Sequence, residues 1–272
     1  MTYSFLQYMS DTQLLVLLPL VACIALLVIT VALRFMNRTW NWFDYDSDVV
    51  DTATQNSMSG AYVVLGFVLA LVMTTASNLD DKVSQEAQAI KSLNRMLILD
   101  GTPPALKARD ALLAYTNSII VDEWPDLKQG QGSDVTSNAL VNVFLQINRI
   151  DPSTEKRIVI FSKIIDAVDH VAQARNDRIL SVTSALPTMF YTVSLLSILG
   201  VIVICGLRLI EATPLRAVIM AIQLVMLTLM LAAIAIIDLP YLGDTSTSAE
   251  SLQEVYNGLK LQSPTPLQPG AQ

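Results

Sequence analysis

The only histidine of this 272-residue chain, His170, shares a stretch with Asp166, Asp169 and Asp177. A histidine with carboxylates three or four positions away on one helix face has the donor types of a metal site, yet a single imidazole brings no second nitrogen ligand. The expectation is a solvated surface histidine. Asp44, Asp46, Asp48 and Asp51 form a second acidic group, but their spacing lacks the glycine and terminal glutamate of a calcium loop, so a solvated acidic loop is expected there. Other chemical signatures are missing from the sequence: no G-x-S-x-G, no phosphate-cradling glycine loop, no Cys-x-x-Cys and no histidine pair. The chain is therefore read as a non-enzyme, with no catalytic residue, metal site or cofactor expected. Cys23 and Cys205 both fall in apolar blocks and read as small packing residues.

Hydrophobic residues make up 53% of the chain and charged residues only 15%, against about 25% charged in an ordinary soluble domain. That balance belongs in a bilayer. The net charge of −7 and the lack of a basic stripe exclude nucleic acid as a partner. The apolar excess sits in four blocks, and the middle of the chain has the composition of a soluble domain.

The elements that hold these residues follow from the periodicity. Leu14 to Leu33 is apolar apart from Thr30 and spans about 30 Å as a helix, the thickness of the hydrocarbon core. Gly60 to Leu99 contains no proline and no glycine after Gly66. It is apolar all round from Ala61 to Ala76, and from Asn78 its apolar residues thin to Leu79, Val83, Ala87, Ile90, Leu93 and Leu97, spaced three or four apart. One long helix thus leaves the membrane and enters a helical bundle. Between these helices, Trp40, Trp42, Phe43 and Tyr45 mark a loop at headgroup level, extending from Asn37 to Ser59.

Gly101-Thr-Pro-Pro turns the chain. Ala105 to Trp124 and Val135 to Ile150 are the next bundle helices. Asp151-Pro-Ser-Thr-Glu carries the signals of a helix start, and the return helix is expected from Ser153 to Ala185, where no proline or glycine intervenes. Pro187 precedes a third span, Met189 to Leu207, and the fourth is Ala217 to Ile237. The predicted fold is therefore all-α: residues 1–77 hold two transmembrane helices and their loop, 78–188 a four-helix extramembrane bundle, and 189–242 two more transmembrane helices. Residues 243–272 form a polar tail with a helical turn or two near Ser251 to Leu259 and a disordered SPTPLQPGAQ end.

Arg34, Arg38, Arg208 and Arg216 all fall in or beside the two short loops, which places those loops inside and the bundle and both termini outside. The twelve Lys or Arg of the bundle weaken this inference without reversing it, because long translocated domains are largely exempt from the rule. No Lys, Arg, Glu or His lies inside a span, and Asp238 stands at the end of the fourth. Ion-coupled transporters carry ionisable groups at mid-membrane, so a passive channel with an apolar constriction is favoured over a coupled transporter. The second span is expected to line it through Tyr62, Leu65, Val68 or Met73. Glycines and small polar residues elsewhere in the spans suit close helix packing.

The runs GFVLALVMTTASNLDDKVSQEAQAIKSLNR, LLAYTNSIIVDEWPDL, ARNDRILSVTSALP and IDLPYLGDTSTSAESLQ resemble the bestrophin-like bacterial membrane family of unknown function, over about Leu14 to Leu259. The residues that carry the resemblance are Glu86, Glu123 with Trp124, Arg175, Arg178, and Asp238-x-Pro240, with Leu239 where the family pattern has Arg. The resemblance implies four spans, a large helical segment between the second and third, a bacterial inner membrane location, and a distant relation to bestrophins, which are pentameric anion channels. It also implies a cytoplasmic bundle, whereas the arginine-bearing loops imply a periplasmic one; the charge argument is preferred. Glu86, Glu123, Trp124, Arg175, Arg178, Asp238 and Pro240 are expected to be structural, with Glu86 paired to Arg175 or Arg178 across the bundle.

Together these observations predict a homo-oligomeric membrane protein, an ion channel or channel-like protein, with the bilayer and further copies as partners. The alternatives are an accessory or scaffolding subunit packed against partner membrane subunits, and a sensor whose long helices carry bundle motion into the membrane.

Overall fold

A computed structural model describes residues 10–40, 47–128, 130–181, 186–210, 213–238, 241 and 247–262. Every regular element among them is helical. α1 is Asp11–Trp40, α2 Ser47–Asp100 and α3 Pro103–Ser118; α3 continues through a π-turn, Ile119–Glu123, into α4, Trp124–Leu127. α5 is Asp134–Ile147, α6 Glu155–Leu180, α7 Thr188–Arg208, α8 Pro214–Ile237 and α9 Glu250–Leu261. α1, α2, α7 and α8 are long and apolar enough to cross a membrane. The chain divides into two units, Met1–Ala76 with Ser184–Ser246, and Ser77–Thr183 with Thr247–Gln272.

The first unit contains the four apolar stretches. Its core is Leu65, Val72, Leu224 and Leu227, all without exposed surface, joined by Ala22, Leu26, Val68, Val201 and Ile202. Gly206 lets α7 approach α1 closely: a Cβ there would lie 2.9 Å from the Cγ2 of Ile29. The interhelical loops are shorter than the sequence suggests, because α1 runs to Trp40 and α2 begins at Ser47. Thr54 and Met58 are buried in this early part of α2, Asp48 lies in its first turn where the helix dipole favours an acid, and Arg208 pairs with Asp51. Trp42, Phe43, Asp44, Tyr45 and Asp46 lie outside the described residues, as do Leu239 and Pro240.

The second unit packs the C-terminal half of α2 with α3, α5 and α6 around Ile90, Leu93, Leu97, Leu112, Ile119, Val143, Ile147, Ile164 and Val168, all fully buried. α2 ends at Asp100, and Gly101 takes the positive φ of 65° that only glycine adopts without strain. Thr102 then caps α3, its Oγ1 accepting the Ala105 N–H at 3.4 Å.

Three expectations are corrected here. The helix expected over Ala105 to Trp124 is interrupted by the π-turn, in which Trp124 N–H donates to the Ile119 carbonyl. Pro125 explains it: proline has no N–H for the Val121 carbonyl and its ring would strike that carbonyl in a regular α-helix. The carbonyl of Ser118 also accepts the Thr136 hydroxyl, at 3.1 Å. The return helix stops at Leu180 rather than Ala185; Ser181 hydrogen-bonds back to the Asp177 carbonyl at 2.6 Å and accepts Lys82 Nζ at 2.5 Å, and residues 182–185 lie outside the described ones. The tail is no short turn. α9 has three turns and places Leu252, Val255 and Leu259 in the core of the second unit, at the i, i+3, i+7 spacing of a packed helix face.

Candidate functional site

Ionisable side chains converge at one place in the second unit. α2 supplies Glu86, α3 Tyr115, the π-turn Glu123, and α6 both Arg175 and Arg178. Glu86, Tyr115, Glu123 and Arg178 have no exposed surface. Arg178 Nε lies 2.5 Å from Glu86 Oε2, and its Nη2 lies 2.5 Å from Glu123 Oε1. Arg175 Nη2 lies 2.5 Å from the other Glu123 oxygen and also donates to Ser137 Oγ at 2.9 Å and to the Ser133 carbonyl at 3.3 Å. The Tyr115 hydroxyl donates to Glu86 Oε1 at 2.9 Å. Two carboxylates thus meet two guanidinium groups, and the formal charge of the cluster is zero.

The π-turn positions Glu123 for this. Trp124, next in the chain, has its ring 5.5 Å from the Arg178 guanidinium carbon, a cation–π distance. Arg178 Nη1 is buried without a hydrogen-bond partner. Burial works against the Arg178 charge, but Glu86 and then Glu123 more than offset it and hold its pKa above the ordinary arginine value. The Tyr115 phenol is pushed well above its usual range, first by burial and then by the charge of Glu86. Both therefore keep their protons at any physiological pH. The cluster lacks an exposed nucleophile or base; it is a buried clamp that ties four helical segments together.

A smaller clamp fixes the tail helix. Arg109, 3% exposed, donates to the Leu259 carbonyl at 2.7 Å and to Asn94 Oδ1 at 2.9 Å, and Asn94 donates to Gln262 Oε1 at 3.0 Å. The sequence reading missed Arg109. The signal available was a charged residue on the apolar side of α3, between Ala108 and Leu112.

In the first unit Asp238 is fully buried and accepts the Leu186 N–H at 3.0 Å and the Tyr191 hydroxyl at 2.5 Å. It therefore fastens the end of α8 to the start of α7. Arg34 donates to the Leu209 carbonyl at 2.7 Å and Arg208 pairs with Asp51, so the ends of α1 and α7 and the start of α2 meet at one end of this unit.

The residues expected to line a pore separate into two groups. Leu65 and Val68 are 0% and 2% exposed and pack inside the unit. Tyr62 is half-buried, its hydroxyl donating to the Gln223 carbonyl at 3.1 Å, while Met73 is 57% exposed. An apolar run gives no sign of which side of the helix meets the other spans. His170 is exposed in an open groove of about 540 Å³ shared with Gln85, Gln88, Gln173 and Asp177. Among the described residues no three His, Cys, Asp or Glu side chains are grouped to hold a metal ion.

Four apolar helices of spanning length and an all-helical second unit closed by a neutral ion cluster define a multi-pass helical membrane protein. The chain belongs to the Bestrophin-like domain family, whose model matches residues 19–252. No curated protein and no solved structure matches it.

Proposed function

We propose that this chain is a non-catalytic, homo-oligomeric channel protein of the bacterial inner membrane, with α2 lining the conduction path. The observation that carries the reading is the composition of the unpacked side of α2. Asn56, Gly60, Val63, Phe67, Ala70 and Thr74 recur at steps of four and three and are all exposed, with Val63 at 72% and Phe67 at 65%. This stripe mixes an amide, a hydroxyl, small residues and two apolar side chains. The exposed stripe of α1, by contrast, is Leu20, Ile24, Leu27, Val31 and Phe35, and lipid asks for nothing more.

Four helices enclose no water-filled path alone, so copies must surround an axis. With the α2 stripe on that axis, Val63 and Phe67 form the apolar ring that gates by dewetting, and they take the place of Leu65 and Val68. The family includes ion channels in general, which supports the same reading.

The decisive measurement is the mass and symmetry of the detergent-purified protein, followed by ion flux in liposomes. Phe67→Ser should wet the constriction and raise flux severalfold, while Phe35→Ser on α1 should not. An oligomer that stays silent with both variants, or an α2 stripe that meets a foreign subunit, would replace this reading with the accessory-subunit one. The arginine-bearing loops support a periplasmic second unit. With Cys23 and Cys205 replaced, Asn138→Cys should react with an impermeant thiol reagent on intact spheroplasts and Thr39→Cys should not; the reverse pattern puts the second unit in the cytoplasm.

A further inference from the structure

Four arginines lie at the end of the first unit where the short interhelical connections are. Two of them are engaged: Arg34 holds the Leu209 carbonyl and Arg208 holds Asp51. The other two, Arg38 in the last turn of α1 and Arg216 in the first turn of α8, are exposed and have no ion pair or hydrogen bond among the described residues.

Their surroundings state what they face. α1 and α8 pack against one another, and each keeps an exposed apolar stripe along its outer side. On α1 this stripe is Leu20, Ile24, Leu27, Val31 and Phe35, and Arg38 follows at the next helical step. On α8 it is Leu215, Ile219, Ile222, Met226 and Leu229, with Arg216 beside its first member. A guanidinium at the end of a lipid-facing stripe reaches headgroup depth by snorkelling. It is planar and presents paired donors that match phosphate oxygens.

We propose that Arg38 and Arg216 form a binding site for the headgroup of an anionic phospholipid, whose acyl chains lie on the apolar stripes of α1 and α8. Charge complementarity selects the headgroup. The apolar stripes select a lipid over a free phosphate, which would gain nothing from them. The inference rests on the membrane location of the four helices and is independent of whether the protein conducts ions.

The full chain in a neutral detergent is titrated with phosphatidylglycerol or phosphatidylcholine, with native mass spectrometry counting bound lipid and thermal unfolding as the second readout. A separate arm uses inorganic phosphate. Phosphatidylglycerol should bind in preference to phosphatidylcholine and raise the unfolding temperature. Arg38→Gln and Arg216→Gln should each weaken it roughly fivefold and the double variant about twenty-five-fold, from the usual contribution of one arginine near an anionic surface. The parent comparison of the two lipids stands even if the double variant fails to fold, and each single variant gives its own reading. Equal binding of the two lipids by the parent, or unchanged phosphatidylglycerol binding in the variants, overturns the proposal. So does equal stabilisation by inorganic phosphate, which would make the occupant a free anion.

Discussion

Arg178 and Glu86, 92 residues apart in the chain, meet with Nε 2.5 Å from Oε2, and neither side chain has any exposed surface. The pair links α6 to α2, and Glu123 on the π-turn accepts from the same guanidinium at 2.5 Å. Among the described residues, removing Arg178 leaves Glu86 with the Tyr115 hydroxyl as its side-chain partner. Arg178→Met should destabilise the protein by about 3–5 kcal/mol, the usual penalty for a buried charge whose partner is lost. Adding Glu86→Leu to it should recover part of that loss, because Glu123 keeps Arg175. Thermal unfolding of the parent, single and double variants measures this; equal stabilities throughout would show that the cluster is not buried in the folded protein.

Arg109 is the fastener of α9. In Arg109→Ala, Leu252, Val255 and Leu259 remain to hold the helix, but the Leu259 carbonyl and Asn94 lose their donor. The local loss should be about 1.5–3 kcal/mol, as for hydrogen bonds from a charged group. Hydrogen exchange should then accelerate across residues 250–261 while α5 keeps its protection. Uniform acceleration of both would mean that α9 is not a separately fastened element.

α2 passes from one unit into the other without a break around Ser77. Ser77→Pro should cost about 3 kcal/mol or more, by removing one backbone hydrogen bond and placing the ring against the carbonyl four residues earlier. Unfolding midpoints of Ser77→Pro and a Ser77→Ala control separate this from a side-chain effect. A proline variant as stable as the alanine one would place a hinge at that point.

Two glycines in the spanning helices should respond in opposite ways. At Gly206 a Cβ would sit 2.9 Å from Ile29 Cγ2 and 3.2 Å from Leu33 Cδ1, whereas at Gly66 it would meet nothing within 4 Å. Gly206→Val should therefore push α7 from α1 and cost about 1–3 kcal/mol. Gly66→Ala should be neutral or stabilising by up to about 1 kcal/mol, through helix propensity. Unfolding temperatures of the two variants in one detergent decide the matter, and a larger loss at Gly66 would contradict the packing.

The raised pKa of Tyr115 has a definite sign on stability. Its folded value lies above that of the unfolded phenol, roughly 10, so its contribution is fully present below about pH 10 and is lost as pH rises through the folded value. Arg178, also raised, adds loss only at still higher pH. The unfolding temperature of the parent should fall more steeply above pH 10 than that of Tyr115→Phe. Parallel pH profiles for the two proteins would show that the phenol is not held beside Glu86.

The sequence by itself determined the elements whose cause is local. A run of apolar residues about as long as a bilayer is thick marks a span wherever it occurs, and so the four spanning helices could be read directly. The breaker-free stretch through Ser77, the Gly101-Thr-Pro-Pro turn and the start of α6 were legible for the same reason. The family resemblance also singled out Glu86, Glu123, Arg175, Arg178 and Asp238, whose ion pairs and hydrogen bonds are seen only in the folded chain.

Tertiary structure decided what depends on partners distant in the chain. The Thr136 hydroxyl that caps the Ser118 carbonyl beside the π-turn lies on another helix, and no local pattern announces that contact. α9 is polar enough to read as a loose tail, since its three core residues matter only against helices far away in the chain. Leu65 and Val68 are indistinguishable from Val63 and Phe67 by composition. In an apolar helix every side is hydrophobic, so periodicity carries no direction, and only the packing of α2 against the other spans settles which side is buried.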